Sequence, residues 1–128
     1  MAVVGDAFLI DSGAHKHLHV VIWGPGQVGW VANKDQMILA SVTTIYPNIP
    51  HDPACVLQAG AHPFIKHASY VSYRHLRFDE PSHIDSMSAQ GLFVAQATAS
   101  KQLVQQVRAG LCNSRLADRR LKHLLGCP

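Results

Sequence analysis

The chain is predicted to fold as one α+β domain, a small antiparallel β-barrel followed by two C-terminal helices. The first two thirds of its 128 residues hold short apolar segments rich in β-branched residues, separated by closely spaced turns, as in small barrels and sandwiches. The last third changes to the helical period of apolar residues. We favour the barrel over the sandwich because closure leaves no unpaired sheet edge. The domain spans residues 1–128, with the barrel over about 1–80 and the helical part over about 98–126.

Four strands are predicted in the first third of the chain. Each is short and mostly apolar, and together they cover residues 3–10, 18–23, 28–31 and 37–44. The first two end at Asp11-Ser12-Gly13 and Gly24-Pro25-Gly26, whose glycine and proline residues favour turns. The fourth is the clearest, because its apolar run leads into Val42, Thr43 and Thr44, whose branched side chains favour β structure.

Further strands are predicted after a proline-rich loop. Residues 46–53 contain three prolines and are predicted to be a loop, and residues 55–57 form a short strand. A second loop covers 62–67, and residues 70–78 form one or two more strands. The polar segment 82–91 fits either a short helix or a loop.

Two helices are predicted at the C-terminus. Ser100 caps the first, whose apolar stripe ends near Gly110. Asn113 or Ser114 starts the second, and Gly126 stops it.

Composition limits the class of protein and its surroundings. Hydrophobic residues make up 48% of the chain and charged residues 15%, a balance that excludes a disordered protein. Cys55, Cys112 and Cys127 form no close pair, and an odd count in a chain without a signal peptide is typical of reduced thiols in a cytoplasmic protein. No segment approaches the roughly 20 apolar residues of a membrane span, so no membrane partner is expected. The formal charge of +3 is compatible with an anionic partner such as RNA.

Three of the nine histidines alternate in His15-Lys16-His17-Leu18-His19, at the start of a predicted strand. Because residues two apart share a strand face, the three imidazoles would line one side, where a His-x-His pair can hold zinc together with His62 or His67. In the competing interpretation, His15 and His17 lie in a solvated turn and His19 lies on the outer face of the barrel. No recognisable spacing supplies a third ligand, so neither a metal nor another cofactor is expected.

A second pair of histidines, His62 and His67, brackets a loop that Pro63 stiffens. Such a loop can hold a general acid or base in a fixed geometry. In the other interpretation, Phe64 and Ile65 plug the end of the barrel while both imidazoles stay in water.

Hydroxyl and aromatic side chains follow at Ser69, Tyr70 and Tyr73, and Thr43 lies near the end of the fourth strand. Bases stack on aromatic rings and hydroxyls position phosphates, so these residues are candidates for contacting RNA. Thr43 can also orient a phosphate or stabilise an oxyanion. Alternatively, the two tyrosines lie on opposite faces of one strand, one packed and one exposed, and Thr43 only satisfies backbone groups at a turn.

The order of these segments resembles the MazF/PemK (Kid) family of toxin endoribonucleases. Gly13-Ala14-His15-Lys16-His17, followed by residues 18–22, stands where the family has a Gly-x-Arg-Arg-Pro-type turn and a Val/Ile-rich strand. Residues 38–44 stand where a family strand ends in a Thr-Ser or similar pair, and residues 55–60 and 69–71 resemble its Val-Leu-Leu-x-x-Gly and Ser-Val-Val segments. The resemblance covers about the first 80 residues. It implies an SH3-like barrel, a homodimer and a cognate antitoxin protein as a partner.

In that family, the turn arginine and the strand-end threonine or serine cleave single-stranded RNA without a metal, through attack of the 2′-hydroxyl on the adjacent phosphorus. Carried over by position, Lys16 or His15 takes the place of the arginine, and Thr43 supplies the hydroxyl. Lysine is a point charge without the guanidinium fork, and the turn also lacks the family's proline. Either the histidines have taken over the acid–base chemistry, or the fold serves another purpose.

The sequence therefore predicts a MazF/PemK-like toxin, or a diverged relative, that acts as a metal-independent endoribonuclease. Its catalytic residues would be Lys16 as phosphate stabiliser, Thr43 as positioner, and His62 or His67 as base. The residues predicted to bind RNA are His15, His17, Ser69, Tyr70 and Tyr73. The competing hypothesis is a non-catalytic barrel of a defence or mobile-element system. It would bind a protein or a nucleic acid through its cleft or its basic C-terminal helices.

Overall fold

Seven strands and three α-helices form the chain in the computed structural model, which describes residues 1–128. The strands are β1 (Ala7–Ser12), β2 (His15–Val28), β3 (Ala32–Thr44), β4 (Val56–Leu57), β5 (Ser69–Val71), β6 (Arg77–Asp79) and β7 (Val94–Gln96). The helices are α1 (Pro81–Ala89), α2 (Lys101–Asn113) and α3 (Arg119–Leu124), and a 3-10 turn covers Tyr73–His75. Every strand pairing is antiparallel, so the predicted α+β class with an antiparallel sheet is confirmed.

All seven strands belong to one sheet, which is not closed. Its order is β4-β5-β3-β2-β1-β7, and β6 pairs with β3 as well. The end strands β4 and β7 have two and three residues and do not pair with each other. They offer too few backbone groups to complete a ring, so the closed barrel expected from the sequence does not form. The alternative of two stacked sheets does not form either.

β2 continues through Gly24-Pro25-Gly26, where the sequence predicted its end. The register with β3 shifts between Val21 and Trp23 and again before Gly26, which marks β-bulges. Gly24 has a φ of 113°, and a Cβ there would lie 2.6 Å from the carbonyl oxygen of Gln36. Because glycine accepts both this backbone conformation and this close approach, the strand bends here and stays paired. Residues 29–31, predicted as part of a return strand, form the turn to β3.

The sheet buries a core on each face. Residues alternate between faces along a strand, so Leu18, Val20 and Ile22 of β2 pack toward α2, whereas Val21 packs toward α1. We call these sides the α2 face and the α1 face. The α2 face carries the larger core, with 19 buried residues, and the α1 face carries a core of eight.

The two C-terminal helices are confirmed, with different ends from those predicted. Ser100 caps α2 as expected, since its hydroxyl oxygen accepts a hydrogen bond from the Leu103 amide at 3.0 Å. α2 continues past Gly110, which is a buried packing position and not a helix end. α3 begins later than predicted, after the N-cap Asp118. None of the three helices has both the length and the apolar character needed to span a bilayer.

Two elements lie between the predicted barrel and the predicted helices. The segment that fitted either a helix or a loop forms α1, whose Ile84 is buried in the smaller core. The chain then returns as β7, which pairs with Leu9, Phe8 and Ala7 of β1. The β part of the domain therefore extends beyond the predicted boundary near residue 80.

Two of the three cysteines form a disulfide. Cys112, in the last turn of α2, is bonded to Cys127, which follows α3, and their Cα atoms lie 5.4 Å apart. The expectation of three reduced thiols is therefore wrong. The pair is 15 residues apart in the chain, and only the return of the backbone through α3 brings the sulfurs together. Cys55 is the free cysteine and is buried.

Candidate functional site

A row of polar side chains continues the α1 face of the sheet past the core around α1; His19 and Ser41 are buried, and His17, Thr43 and Tyr70 are half-buried. His19 lies opposite Ser41, and Thr43 lies opposite Tyr70. The register of β2 with β3, continued by one pair beyond Leu18 and Val42, sets His17 opposite Thr43. We call this surface the polar sheet face, and its members are His17, His19, Ser41, Thr43 and Tyr70. It brings together three residues predicted to act on RNA and two that were not among the predicted catalytic or RNA-binding residues, His19 and Ser41.

His19 is held in one tautomer with a free ring nitrogen. Its Nδ1 lies 3.0 Å from the carbonyl oxygen of His17, and a carbonyl only accepts hydrogen bonds, so Nδ1 carries the proton. In the neutral ring, Nε2 then carries a lone pair. The residue is only 6% exposed, and every fully buried side-chain polar atom of the chain has a hydrogen-bond partner. Because Nε2 makes no such bond, it is not completely buried.

The surroundings keep the imidazoles of the polar sheet face neutral. Burial lowers the pKa of His19, because desolvation penalises the charged ring, and repulsion from the Arg77 guanidinium lowers it further. The hydrogen bond to the His17 carbonyl acts in the opposite direction. Burial also lowers the pKa of His17, with a contribution from His15. Both rings are therefore mainly uncharged at neutral pH.

Arg77 supplies a fixed cation at the border of this surface. It lies opposite Leu39 of β3, which shares the α1 face with Ser41 two residues later. Its Nε donates to Asp79 at 3.2 Å, and its guanidinium carbon lies 5.0 Å from the centre of the Phe93 ring. These contacts hold the positive charge near His19.

Tyr70 provides a half-buried aromatic ring beside Thr43. His51, from the proline-rich loop, lies against this ring with the two centres 5.3 Å apart. Aromatic rings on a sheet surface are where bases of single-stranded RNA stack, and neighbouring hydroxyls can bind the phosphates between them. The polar sheet face thus combines the two kinds of group that a nucleotide needs.

His62 has no free ring nitrogen. The residue is buried, its Nε2 donates to the Ala97 carbonyl oxygen at 2.6 Å, and its Nδ1 accepts from the Phe64 amide at 3.0 Å. These bonds fasten the 62–67 loop to the segment before α2. In this arrangement His62 anchors the loop and has no nitrogen with which to take a proton from a substrate.

Lys16 and His67 lie on the other side of the sheet from Thr43. Lys16 alternates along β2 with the histidines and so shares the α2 face with Leu18. His67 and Thr44 line a pocket of about 310 Å³ on that same side. The sheet separates this pocket from the polar sheet face, so the structure does not bring Lys16 and His67 together with Thr43.

Ser69 and Tyr73 are both buried and bonded inside the protein. The Ser69 hydroxyl donates to the His67 carbonyl oxygen at 2.9 Å, and the Tyr73 hydroxyl donates to the Val107 carbonyl oxygen of α2 at 2.5 Å. Burial raises the pKa of Tyr73. Tyr73 is therefore the packed tyrosine of the pair and Tyr70 the more exposed one, and neither Ser69 nor Tyr73 is placed to contact RNA.

No three His, Cys, Asp or Glu side chains lie close enough together to hold a metal ion. The combination considered from the sequence, His15 and His17 with either His62 or His67, does not form. His15 is exposed at the turn between β1 and β2, His62 is occupied by its two bonds, and His67 lies across the sheet.

One of the C-terminal basic residues, Arg120, borders a different concave region. Arg120 of α3 bonds to Asp118 at 2.7 Å and lies over Trp30, with its guanidinium carbon 4.8 Å from the ring centre. Trp30 and Leu116 are exposed apolar residues of this hollow, which measures about 480 Å³ and also includes Arg74. The hollow is separate from the polar sheet face, since the two have no residue in common.

The place of Ser41 beside Thr43 could have been inferred from their alternation, as the place of His19 beside His17 was. Each pair is two residues apart, so each shares a strand face. What the sequence does not contain is the register that sets His19 against Ser41, because the register depends on the pairing of two distant segments. Comparisons of the chain with protein-family models, with curated proteins and with solved structures give no match.

Proposed function

We propose that this protein is a metal-independent endoribonuclease of the MazF/PemK type, or a diverged relative, and that single-stranded RNA is cleaved on the polar sheet face. The observation that supports this most directly is the pairing of Thr43 with Tyr70, in line with His17. A hydroxyl, an aromatic ring and an imidazole then occupy neighbouring positions of one surface. This set can bind one nucleotide, with the base on the ring and the phosphate at the hydroxyl and imidazole.

The charges near this surface suit a phosphodiester. The Arg77 guanidinium lies at its border, and the whole chain carries a formal charge of +3. Neutral imidazoles can exchange protons near neutral pH, so the acid–base chemistry of RNA cleavage needs no metal here. The proposal keeps the SH3-like fold that the resemblance implies. It assigns no catalytic role to Lys16, His62 or His67.

A matched pair of variants tests the proposal. Thr43→Val removes the hydroxyl from the polar sheet face and keeps the branched shape, whereas Thr44→Val makes the same change on the opposite face. We expect the wild-type protein to cleave single-stranded RNA oligonucleotides in the presence of EDTA. Thr43→Val should lower kcat/KM by about 10- to 100-fold, the effect of losing one hydrogen bond to a charged group. Thr44→Val should leave kcat/KM close to the wild-type value.

The outcomes separate the two hypotheses drawn from the sequence. Cleavage that requires a divalent metal, or that falls equally in both variants, would contradict the proposed site. RNA binding without any cleavage, measured by fluorescence anisotropy, would favour the non-catalytic binding barrel. Absence of both binding and cleavage across several RNA sequences would contradict an RNA function.

A further inference from the structure

We propose that His19 is the general base of the polar sheet face, with Nε2 accepting the proton of a ribose 2′-hydroxyl that lies over Ser41 and Thr43. The inference rests on the proposed function and names the group that begins the reaction. His19 was not among the residues that the sequence predicted to be catalytic, and no other histidine of this surface has its tautomer fixed by a hydrogen bond.

The tautomer of His19 is the first requirement for this role. The Nδ1–H group donates to the His17 carbonyl oxygen, which belongs to the same paired strand and so occupies a fixed position. An imidazole oriented in this way by a second group is the arrangement that general bases use, because the other nitrogen is then free and aimed. Nε2 is that free nitrogen, and it is not completely buried although the residue as a whole is.

The neighbours of His19 favour the unprotonated ring. Its cross-strand neighbours are uncharged, Phe8 on β1 and Ser41 on β3. The charged and titratable groups around it are His17 on β2, Arg77 and its partner Asp79 on β6, and His83 of α1, which contacts Asp79. Burial and Arg77 lower the pKa of His19, so the ring is mainly unprotonated at neutral pH and can accept a proton. A bound phosphate would offset the repulsion from Arg77 when the ring takes up a proton.

The reaction that follows balances without a metal or a cofactor. The proton of the 2′-hydroxyl moves to His19 Nε2 as the O2′–P bond forms. The P–O5′ bond breaks, and the leaving 5′-oxygen takes a proton from water. The products are a 2′,3′-cyclic phosphate and a 5′-hydroxyl, and His19 returns its proton to the solvent. A substrate with 2′-deoxyribose at the cleavage position has no 2′-oxygen to attack the phosphorus, so it should bind and stay intact.

The replacement His19→Gln tests the role of Nε2. Glutamine has similar reach but cannot accept a proton, so kcat should fall by about 100-fold or more, the usual contribution of a general base. RNA binding should stay within a few-fold of wild type. The rate of the wild-type enzyme should rise with pH as His19 loses its proton, and this rise should be absent from His19→Gln. The matched control is His123→Gln on α3, which should keep both the rate and the pH profile.

A second variant keeps the test decisive if His19→Gln does not fold. Arg77→Gln removes a charge that lowers the pKa of His19, so the rising limb of the wild-type profile should move to higher pH. A purely structural role of Arg77 would change the rate without moving this limb. ¹⁵N NMR of the imidazole nitrogens gives a readout that does not depend on activity. In the neutral ring of His19, it should show a proton on Nδ1 and none on Nε2.

Each result supports or overturns a distinct statement. Cleavage by folded His19→Gln with an unchanged pH profile would overturn the role of His19 and leave the proposed function intact. An Nε2-protonated tautomer in the NMR spectrum would do the same. Failure of the wild-type protein to cleave RNA would overturn the proposed function, and the base role with it.

Discussion

Gly110 is a helix residue whose replacement should have the opposite effect to the one that helix propensity predicts. Alanine normally stabilises a helix by about 1 kcal/mol relative to glycine. At Gly110, however, an added Cβ would meet the Tyr73 hydroxyl and lie 2.7 Å from the Cys55 Cβ. We therefore expect Gly110→Ala to lower the free energy of unfolding by about 1–3 kcal/mol, the usual cost of overpacking a core. Urea denaturation measures this directly.

The neighbouring exposed position provides the control for Gly110. Ala109→Gly should also lower the free energy of unfolding, by about 1 kcal/mol, but through helix propensity alone. In a Tyr73→Phe background, which removes the hydroxyl, Gly110→Ala should cost less than in the wild type, whereas the cost of Ala109→Gly should not change. Equal costs of Gly110→Ala in both backgrounds would show that the hydroxyl is not the obstacle.

Single residues were predictable where the chemistry is local. Ser100 was identified as the cap of α2 because a serine before an apolar helical stripe needs no distant partner. His62 shows the opposite case. Its carbonyl partner belongs to Ala97, 35 residues away, and because of that bond His62 anchors a loop and has no ring nitrogen free to act as a base. The proposed role of His19 likewise depends on its burial and on the charge of Arg77, and neither can be predicted from the sequence around His19.

At the scale of elements, the disulfide ties the segment after α3 to the last turn of α2. The bond between Cys112 and Cys127 closes a loop with a sequence separation of 15 residues, for which chain entropy gives about 3 kcal/mol of stabilisation. We expect a dithiol reductant to lower the urea midpoint of the wild-type protein correspondingly. The double variant Cys112→Ser/Cys127→Ser should unfold at the lower midpoint with or without reductant. An unchanged wild-type midpoint, with thiol titration showing full reduction, would contradict this expectation.

The elements themselves were predictable where composition decides them, and their ends were not. The strand ending in Thr43 and Thr44 and the helix after Ser100 follow from branched residues and from apolar periodicity. β2 continues through Gly24-Pro25-Gly26 because β-bulges let the strand bend and stay paired with β3. β7 forms because it can pair with the edge of β1. Both depend on a partner strand, which a local pattern does not reveal.

For the whole molecule, we expect stability to fall in mild acid. Folding lowers the pKa of His17 and of His19, each from an ordinary value of 6.5. Below about pH 6.5 the unfolded chain therefore binds more protons than the folded chain, so the free energy of unfolding rises with pH in this window and levels off above it. The urea midpoint should therefore be lower in mild acid, below about pH 6.5, than at neutral pH.

Histidine variants assign this pH dependence. The double variant His17→Gln/His19→Gln should have a flatter profile of unfolding free energy against pH than the wild type, whereas His123→Gln should keep the wild-type slope. A double variant as sensitive to mild acid as the wild type would show that other groups, and not these two imidazoles, cause the loss.

The brevity of the two outermost strands has a consequence for assembly. β4 offers two residues and β7 three, so a second molecule that approaches either edge finds only a few free backbone groups. Long exposed edges recruit further strands and lead to fibres or aggregates. The two end strands give such growth almost no template. Two copies that associate through these two ends must therefore meet through side-chain surfaces, and we do not expect a continuous sheet to form across β4 or β7.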